Sequence, residues 1–176
     1  MTLKQGWSRR PVGANDLGKW VVDRGSLTER IAGRCENFSV RHVVSRFVAA
    51  DRDEFRRIGL ERRESAFVRE VFLCCGETPV VFAHSVAARK SLKGAWRSLK
   101  FLGKKSLGSA FLSNPKVGRE ALEFRRINRR HPLYEKSCRF LDCRPAELWA
   151  RRSLFSRGRN AILVTEVFLP QILELP

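Results

Sequence analysis

The sequence has few of the residues that build metal sites. It contains three histidines, His42, His84 and His131, and none of them lies four positions from another. Its five cysteines are irregularly spaced, and no C-x-x-C pair occurs; they are Cys35, Cys74, Cys75, Cys138 and Cys143. Structural zinc sites use closely spaced cysteine and histidine ligands. We therefore expect no metal site in this chain.

Long apolar segments are absent as well. The N-terminus lacks the apolar core of a secretory signal. No apolar run approaches the length of a membrane-spanning helix. An odd number of irregularly spaced cysteines without such a signal is typical of a protein that stays reduced. We therefore expect a cytoplasmic protein whose cysteines are free thiols.

Acidic residues are scarce relative to basic ones. The chain has 35 Lys and Arg against 18 Asp and Glu, which gives a net charge of +17. This balance favours an anionic partner: nucleic acid, membrane headgroups or a small acidic substrate. The basic residues occur in short pairs along the whole chain, however, which favours a basic surface that keeps the protein in solution. No nucleic-acid-binding motif is present, so we expect no nucleic-acid partner, whereas weak contact with a membrane surface stays open.

The periodicity of the apolar residues predicts strands that are mostly joined by hairpins. The predicted strands are Phe38–Phe47, Phe67–Cys74, Val80–Ala87, Glu120–Asn128, Trp149–Phe155 and Ile162–Leu169. Regular β-α-β alternation, the sign of a parallel sheet, is missing. We predict the α+β class: a single domain in which about six antiparallel strands carry helices on one face.

The rest of the chain supplies a predicted arm and two predicted helices. Residues 1–16 are polar and predict a flexible N-terminal arm, which leaves residues 17–176 for the domain. Ser26 and Glu29 form a capping box, so a short helix should begin there and end near Gly33. Helical periodicity over Ser91–Leu102 predicts another helix, which Gly103 would end.

Two charged residues interrupt apolar rows of the predicted sheet. Arg69 shares a strand face with Phe67, Val71 and Leu73, and Glu166 shares one with Ile162, Val164 and Phe168. A charge is costly in such a row unless it has a partner. Either the two side chains pair with each other or with nearby polar groups, or both face a pocket. In a pocket, Arg69 would hold a carboxylate and Glu166 would accept a hydrogen bond or a proton.

Several short motifs follow one another between Gly25 and Pro170. They are Gly25-Ser26-Leu27-Thr28, Val68-Arg69-Glu70-Val71, Gly76-Glu77-Thr78-Pro79, Leu102-Gly103 through Leu107-Gly108, Leu148-Trp149-Ala150-Arg151-Arg152-Ser153 and Leu163-Val164-Thr165-Glu166-Val167-Phe168-Leu169-Pro170. In this order and at these distances they resemble the chorismate pyruvate-lyase family. The resemblance implies an antiparallel sheet with helical flaps over a buried ligand site. It also implies a carbon–oxygen lyase that makes 4-hydroxybenzoate and pyruvate from chorismate for ubiquinone synthesis, without a cofactor.

The resemblance also implies the ligand contacts. Arg69 and Glu166 match the family's binding arginine and glutamate, and Leu27 and Leu107 match two positions whose backbone amides contact the ligand. Our hypothesis is that Arg69 anchors a carboxylate while Glu166 binds the ring hydroxyl and acts as the base. His84 stands where relatives can carry arginine. It is a candidate for binding a second carboxylate, although a strand histidine with a satisfied local bond is the commoner case.

Two alternative functions are also consistent with the sequence. One is a small-effector-binding domain of the same fold that performs no chemistry, as in some transcription regulators. Only about 25 residues precede the Ser26 helix, too few for the helix-turn-helix segment that such domains carry. The other is a basic protein that binds nucleic acid or a membrane surface.

For the oligomeric state, we expect a monomer.

Overall fold

A seven-stranded antiparallel sheet forms the centre of the molecule. The computed structural model describes residues 6–94, 96–112 and 114–176. The strands are β1 (Phe38–Ala49), β2 (Ser65–Cys75), β3 (Thr78–Ala88), β4 (Gly118–Arg119), β5 (Glu123–Ile127), β6 (Leu148–Arg157) and β7 (Asn160–Phe168). Their order is β1-β2-β3-β7-β6-β4, and β5 also pairs with β6. The predicted α+β class is confirmed, and β4 is one short strand beyond the six expected.

The C-terminal hairpin fixes the register at the centre of the sheet. Arg157 pairs with Asn160, and Gly158 turns the chain with a φ of 59° that favours glycine. Because strand pairing continues without a break from this turn, Arg151 of β6 lies opposite Glu166 of β7. On its other side β7 pairs with β3, where Glu166 lies opposite Ala83.

Helices lie on both faces of the sheet, and not on one face as predicted, because the helix Pro132–Ser137 packs on the face opposite the helix that follows Ser26. The predicted cap at Ser26 begins one of them. Helix α1 spans Gly18–Val21, and α2 spans Leu27–Ala32. The Ser26 hydroxyl accepts a hydrogen bond from the Glu29 amide, and Gly33 ends α2. Leu27 and Ile31 of α2 are buried in a core cluster with residues of β2 and β7, which fixes the helix against the sheet.

The predicted helix over Ser91–Leu102 is wrong in type. The structure has two short 3₁₀ helices there, Arg89–Lys93 and Arg97–Phe101. Gly94 separates them with φ and ψ both at −120°, a conformation that no helix continues through. Gly103 follows with a φ of 53°. A π-helical turn, Gly108–Leu112, comes next. Further 3₁₀ helices are Asn15–Leu17, Phe55–Ile58 and Pro170–Glu174.

The opposite face of the sheet carries α3 (Pro132–Ser137) and part of the N-terminal segment. Leu133 and Tyr134 of α3 are buried against aromatic residues of β2 and β3. Residues 1–5 of the predicted arm lie outside the described residues. In the remainder, Ser8 forms a β-bridge with Phe124, and the Trp7 indole donates a hydrogen bond to Asp53. These contacts attach the described part of that segment to the sheet.

The prediction of free thiols is wrong for two of the five cysteines. Cys35, just after α2, and Cys75, at the end of β2, form a disulfide with Cα atoms 5.7 Å apart. The Gly76 amide donates to the Asn37 carbonyl, and this bond holds the two segments side by side. Cys74, Cys138 and Cys143 are free. Within the described ranges, no helix has the length and apolarity needed to cross a membrane.

Candidate functional site

A small cavity lies between the sheet and the two segments that carry the predicted amide contacts. Its walls include Leu27 and Leu107, and its floor is the face of the sheet that carries Arg69 and Glu166. The structure thus brings together all four of these predicted site residues. The cavity volume is about 30 Å³, roughly that of one water molecule.

Arg69 enters the cavity as a buried cation. Its side chain is 2% exposed, and burial lowers the pKa of its guanidinium to about 10. Nη2 donates to the carbonyls of Gly103 and Lys105 at 2.9 Å each. Nε is buried without a hydrogen-bond partner, and among the described residues no carboxylate lies within ion-pair distance. A buried arginine with unused donors is suited to bind a carboxylate in forked geometry.

Glu166 lies on the same face and pairs with Arg151. Nε of Arg151 donates to Oε2 of Glu166 at 2.5 Å. Nη1 of Arg151 reaches the backbone carbonyls of Trp20, Val21 and Asp23, so the guanidinium joins β6 to the α1 segment. No described residue donates to Oε1 of Glu166. The carboxylate is therefore oriented through one oxygen while the other remains available to a ligand.

Small side chains separate the two charges. In the sheet register, Arg69 lies beside Ser85 of β3, and Glu166 lies beside Ala83 of the same strand. Strand spacing and rise put the Cα atoms of Arg69 and Glu166 roughly 12 Å apart. The floor between the two charged side chains is therefore lined by the small side chains of Ala83 and Ser85. This arrangement leaves a cationic group at one end of the cavity and an anionic group at the other.

The two predicted amide contacts lie at the beginnings of helical turns. Leu27 is the first residue of α2, where helical geometry leaves the backbone N–H without a carbonyl acceptor. Leu107 directly precedes the π-helical turn. Both side chains are buried, at 3% and 7% exposure. The two backbone segments therefore border the cavity while their leucine side chains pack into the core.

Gly108 is where the segment over the cavity contacts α2. A Cβ atom there would lie 3.1 Å from the Thr28 hydroxyl oxygen and 3.3 Å from that of Ser26. Gly108 also lines a second, more open cavity of about 300 Å³, to which Arg24, Ser26 and Arg119 contribute. Glycine therefore permits a close approach at the boundary shared by the two cavities.

The charges around the cavity are mainly positive. Arg69 lines the cavity, Arg151 contacts the carboxylate of Glu166, and Arg119 lies near both residues. Burial lowers the pKa of the Arg119 guanidinium, and Glu166 raises it to a smaller extent. The carboxylate of Asp23 also acts on Arg119 and Arg151, but it is itself paired with Arg30. The basic side chains therefore outnumber the carboxylates around the cavity, which favours an anionic ligand.

His84 lies on the opposite face of the sheet from the cavity. It pairs in register with Glu70, one position away from the Arg69–Ser85 pair, so its side chain points the other way. Nδ1 lies 3.0 Å from Oε1 of Glu70. Burial lowers the pKa of His84, but the carboxylates of Glu54 and Glu70 outweigh it and raise the pKa to about 9. The structure does not bring His84 together with the other predicted contacts.

Arg151 is the site residue that the sequence analysis did not single out. It is 1% exposed and holds Glu166, yet in the sequence it stands in one of many basic pairs. The predicted hairpin turn was the signal that could have identified Arg151. If Arg157 and Asn160 close the hairpin, counting back six residues on β6 and forward six on β7 places Arg151 opposite Glu166.

Comparisons with known proteins agree with the motifs. The family model described as chorismate lyase matches residues 12–175. A probable chorismate pyruvate-lyase from Nitrosospira multiformis is 55% identical over 89% of this chain and 87% of its own. One from Nitrosomonas europaea is 49% identical over 96% of both chains.

Solved structures agree with the fold. The ligand-binding domain of a putative GntR-family transcriptional regulator from Bordetella bronchiseptica superimposes with a TM-score of 0.53. The match covers 76% of this chain and 85% of that one, at 16% sequence identity. At this identity the likeness concerns the fold alone.

Proposed function

Because this chain belongs to the chorismate lyase family, we propose that it converts chorismate to 4-hydroxybenzoate and pyruvate. It would act as a carbon–oxygen lyase in the cytoplasm, as a monomer, at the first committed step of ubiquinone synthesis. The proposed ligand contacts are Arg69, Glu166 and the backbone amides of Leu27 and Leu107. Arg69 and Glu166 are the proposed catalytic residues.

One observation carries the proposal: Arg69 and Glu166 border one cavity, and each keeps an unused polar atom. Arg69 has Nε without a partner, and Glu166 has Oε1 without a donor among the described residues. Paired with each other, these charges would have needed no ligand. Their separate partners instead leave a cationic end and an anionic end on either side of Ala83 and Ser85.

The proposed chemistry follows from the substrate. Chorismate is a dianion whose ring carries a carboxylate, a hydroxyl and an enolpyruvyl ether. The ring C–O bond to the ether breaks, the hydrogen on the carbon that bears the hydroxyl leaves as a proton, and the ring becomes aromatic. The departing enolpyruvate takes up a proton and becomes pyruvate. Atoms balance without water or an oxidant, and aromatisation supplies the driving force.

Each charged residue has a proposed role in this elimination. Arg69 binds the ring carboxylate, since its buried guanidinium offers donors that no described residue uses. Glu166 accepts the hydrogen bond of the ring hydroxyl through Oε1 and takes the ring proton. Arg151 is a positioning residue that holds Oε2 of Glu166 and thereby aims Oε1 at the cavity. The other positive charges stabilise the carboxylate of the departing group.

Ligand access requires movement of the segment above the cavity. A volume of about 30 Å³ holds one water molecule, whereas a substituted ring is several times larger. Arg69 itself bonds the Gly103 and Lys105 carbonyls of that segment. We propose that the segment from Gly103 to Leu107 opens to admit chorismate and closes over it, which would exclude water from the reacting ring.

The deciding experiment mixes purified protein with chorismate. Formation of 4-hydroxybenzoate is followed by its absorbance, and pyruvate by reduction with lactate dehydrogenase and NADH. The proposal expects both products in equal amounts, with negligible product from the E166Q variant. If folded protein binds chorismate in calorimetry but yields neither product, the lyase proposal is wrong and an effector-binding function replaces it.

A further inference from the structure

A second cluster of polar residues lies on the face of the sheet opposite the cavity. Asp51 and Glu54, in the loop that connects β1 to β2, meet His84 of β3. A carboxylate oxygen from each acidic residue and a ring nitrogen of His84 all lie within 4.8 Å of one another. Glu54 is 3% exposed and His84 is 1% exposed. Glu54 and His84 are thus shielded from solvent while Asp51 is half-buried, and uncompensated charge at the buried positions is costly.

The carboxylates of Asp51 and Glu54 meet His84 but have no lysine or arginine partner among the described residues. Across the described ranges, no Lys or Arg lies within ion-pair distance of Asp51 or Glu54. The neighbouring Glu70 differs, because Arg46 and Lys136 both contact it at 2.7 Å. The charge of Glu70 is therefore compensated locally. Glu54 has His84 and the Asp51 amide beside it, and Asp51 feels His84 and, from beyond ion-pair distance, Lys136.

His84 is oriented as a ligand would be. Glu70 holds Nδ1 at 3.0 Å, which fixes the ring and aims Nε2 at the loop. Nε2 lies 3.1 Å from Oε1 of Glu54 but outside hydrogen-bond geometry, so it is a buried nitrogen without a hydrogen-bond partner. Metal-binding histidines commonly have their second ring nitrogen held by a carboxylate in this way.

We propose that Asp51, Glu54 and His84 bind one divalent first-row transition-metal ion. One imidazole and two carboxylates are donors that Mn²⁺, Fe²⁺ and Zn²⁺ accept. The 3.1 Å between Nε2 and Oε1 fits two ligands that each lie about 2.1 Å from a common ion. Rotation of the Asp51 side chain would bring in the third donor, and water would fill the remaining positions. The ion would displace the proton on Nε2 of His84, which would leave to solvent, because a metal binds only the neutral imidazole.

The ion would stabilise the fold and take no part in the reaction. It would fasten the loop that contains the Phe55–Ile58 turn to the centre of the sheet, since two donors come from that loop and one from β3. The ligand cavity is on the other face, so no step of the proposed elimination involves this site. Metal removal should therefore change stability and leave turnover in place.

The test measures Mn²⁺ binding by calorimetry to the full chain after treatment with EDTA. Mn²⁺ is the chosen probe because it prefers oxygen and nitrogen donors, whereas the free thiols prefer softer ions. We expect one saturable site per chain and a higher melting temperature with Mn²⁺ present. Mg²⁺ at the same concentration should bind at least tenfold more weakly, because imidazole is a poor ligand for it.

Matched variants locate the site. D51N and E54Q remove one carboxylate each with little change in shape, and each should weaken Mn²⁺ binding at least tenfold. H84N removes the imidazole. Two further variants are controls: E61Q changes an exposed carboxylate of the same loop, and H42Q changes an exposed histidine. The last two variants should bind like the parent chain. Absence of saturable Mn²⁺ binding to the folded parent, or equal affinity in D51N, E54Q and E61Q, would overturn the proposal.

Discussion

Arg151 and Glu166 face each other across the β6–β7 hairpin, and Nε of Arg151 donates to Oε2 of Glu166 at 2.5 Å. The same guanidinium bonds the carbonyls of Trp20, Val21 and Asp23. This pair therefore links a proposed catalytic carboxylate to the segment that leads into α2, which borders the ligand cavity. A change at either residue should consequently affect both stability and catalysis.

The E166Q variant should lose most turnover. Glutamine keeps the size and a hydrogen-bonding oxygen but accepts no proton from the ring, and general base catalysis contributes roughly 10² to 10⁴ in rate. The measurement is kcat for pyruvate release, with E77Q at the exposed β2–β3 turn as the matched control. Near-full activity of E166Q would show that Glu166 is not the base.

The R151Q variant should be destabilised by about 3 kcal/mol, because removing one partner of a buried pair leaves the other charge unpaired. Urea unfolding gives the free energy of unfolding, and R159Q in the exposed turn of the same hairpin is the control. The double variant R151Q/E166Q should be less destabilised than the sum of the two single variants. Simple additivity would contradict the coupling described here.

The R69M variant should bind chorismate at least a hundredfold more weakly and yet stay as stable as the parent chain. Burial lowers the pKa of Arg69 to about 10, which means that its charged form is disfavoured inside the protein. Replacing a buried charge by an apolar side chain of similar length removes that cost. Calorimetry and thermal melting measure the two quantities.

R97M, at an exposed position of the 3₁₀ helix Arg97–Phe101, is the control for R69M. It removes the same net charge at a distance from the cavity floor. Unchanged chorismate affinity in R69M would show that Arg69 serves structure alone.

The G108V variant should raise KM for chorismate about tenfold. A Cβ atom at this position would meet the hydroxyl oxygens of Thr28 and Ser26 at 3.1 and 3.3 Å, and the larger valine would push the segment away from α2. A110V, at an exposed position of the same turn, is the matched control. If G108V and A110V behave alike, close packing at Gly108 has no part in ligand binding.

The number of reactive thiols should depend on folding and reduction. Without reductant, Cys143 should react first, because Cys74 and Cys138 are buried and burial raises the pKa of both thiols. Unfolding should expose three thiols in total, and reduction should add Cys35 and Cys75. A thiol reagent such as Ellman's counts them.

The C35S variant is the control for this thiol count. It frees Cys75, so the unfolded and unreduced variant should show four thiols: the three free ones and Cys75. Five thiols in the unfolded, unreduced parent chain would mean that the disulfide is not formed in solution.

Local patterns predicted those parts of the fold in which neighbours in sequence are neighbours in space. The Ser26 cap and the turn before Asn160 each depend on a few adjacent residues, and both occur: the Ser26 hydroxyl accepts from the Glu29 amide, and Arg157 pairs with Asn160. The disulfide between Cys35 and Cys75 joins residues that are 40 positions apart. Their proximity depends on how α2 packs on the sheet, which spacing alone does not encode.

His84 shows why the phase of a strand is hard to predict across a turn. Cys75 pairs with Thr78, and unbroken counting from that pair would place Arg69 beside His84 on one face. The structure has a register shift between Leu73 and Cys74, so Arg69 pairs with Ser85 instead. One extra residue on β3 moves His84 to the other face, since successive side chains alternate.

The irregularity in β1 has a consequence for how this protein behaves at high concentration. β1 is an outer strand of the sheet, and its pairing with β2 shifts between Arg41 and Val44, where His42 adopts a φ of 52°. A straight outer strand of twelve residues would offer an uninterrupted template for another chain. The kink interrupts that template midway, so it opposes fibril-like stacking of one molecule on the next.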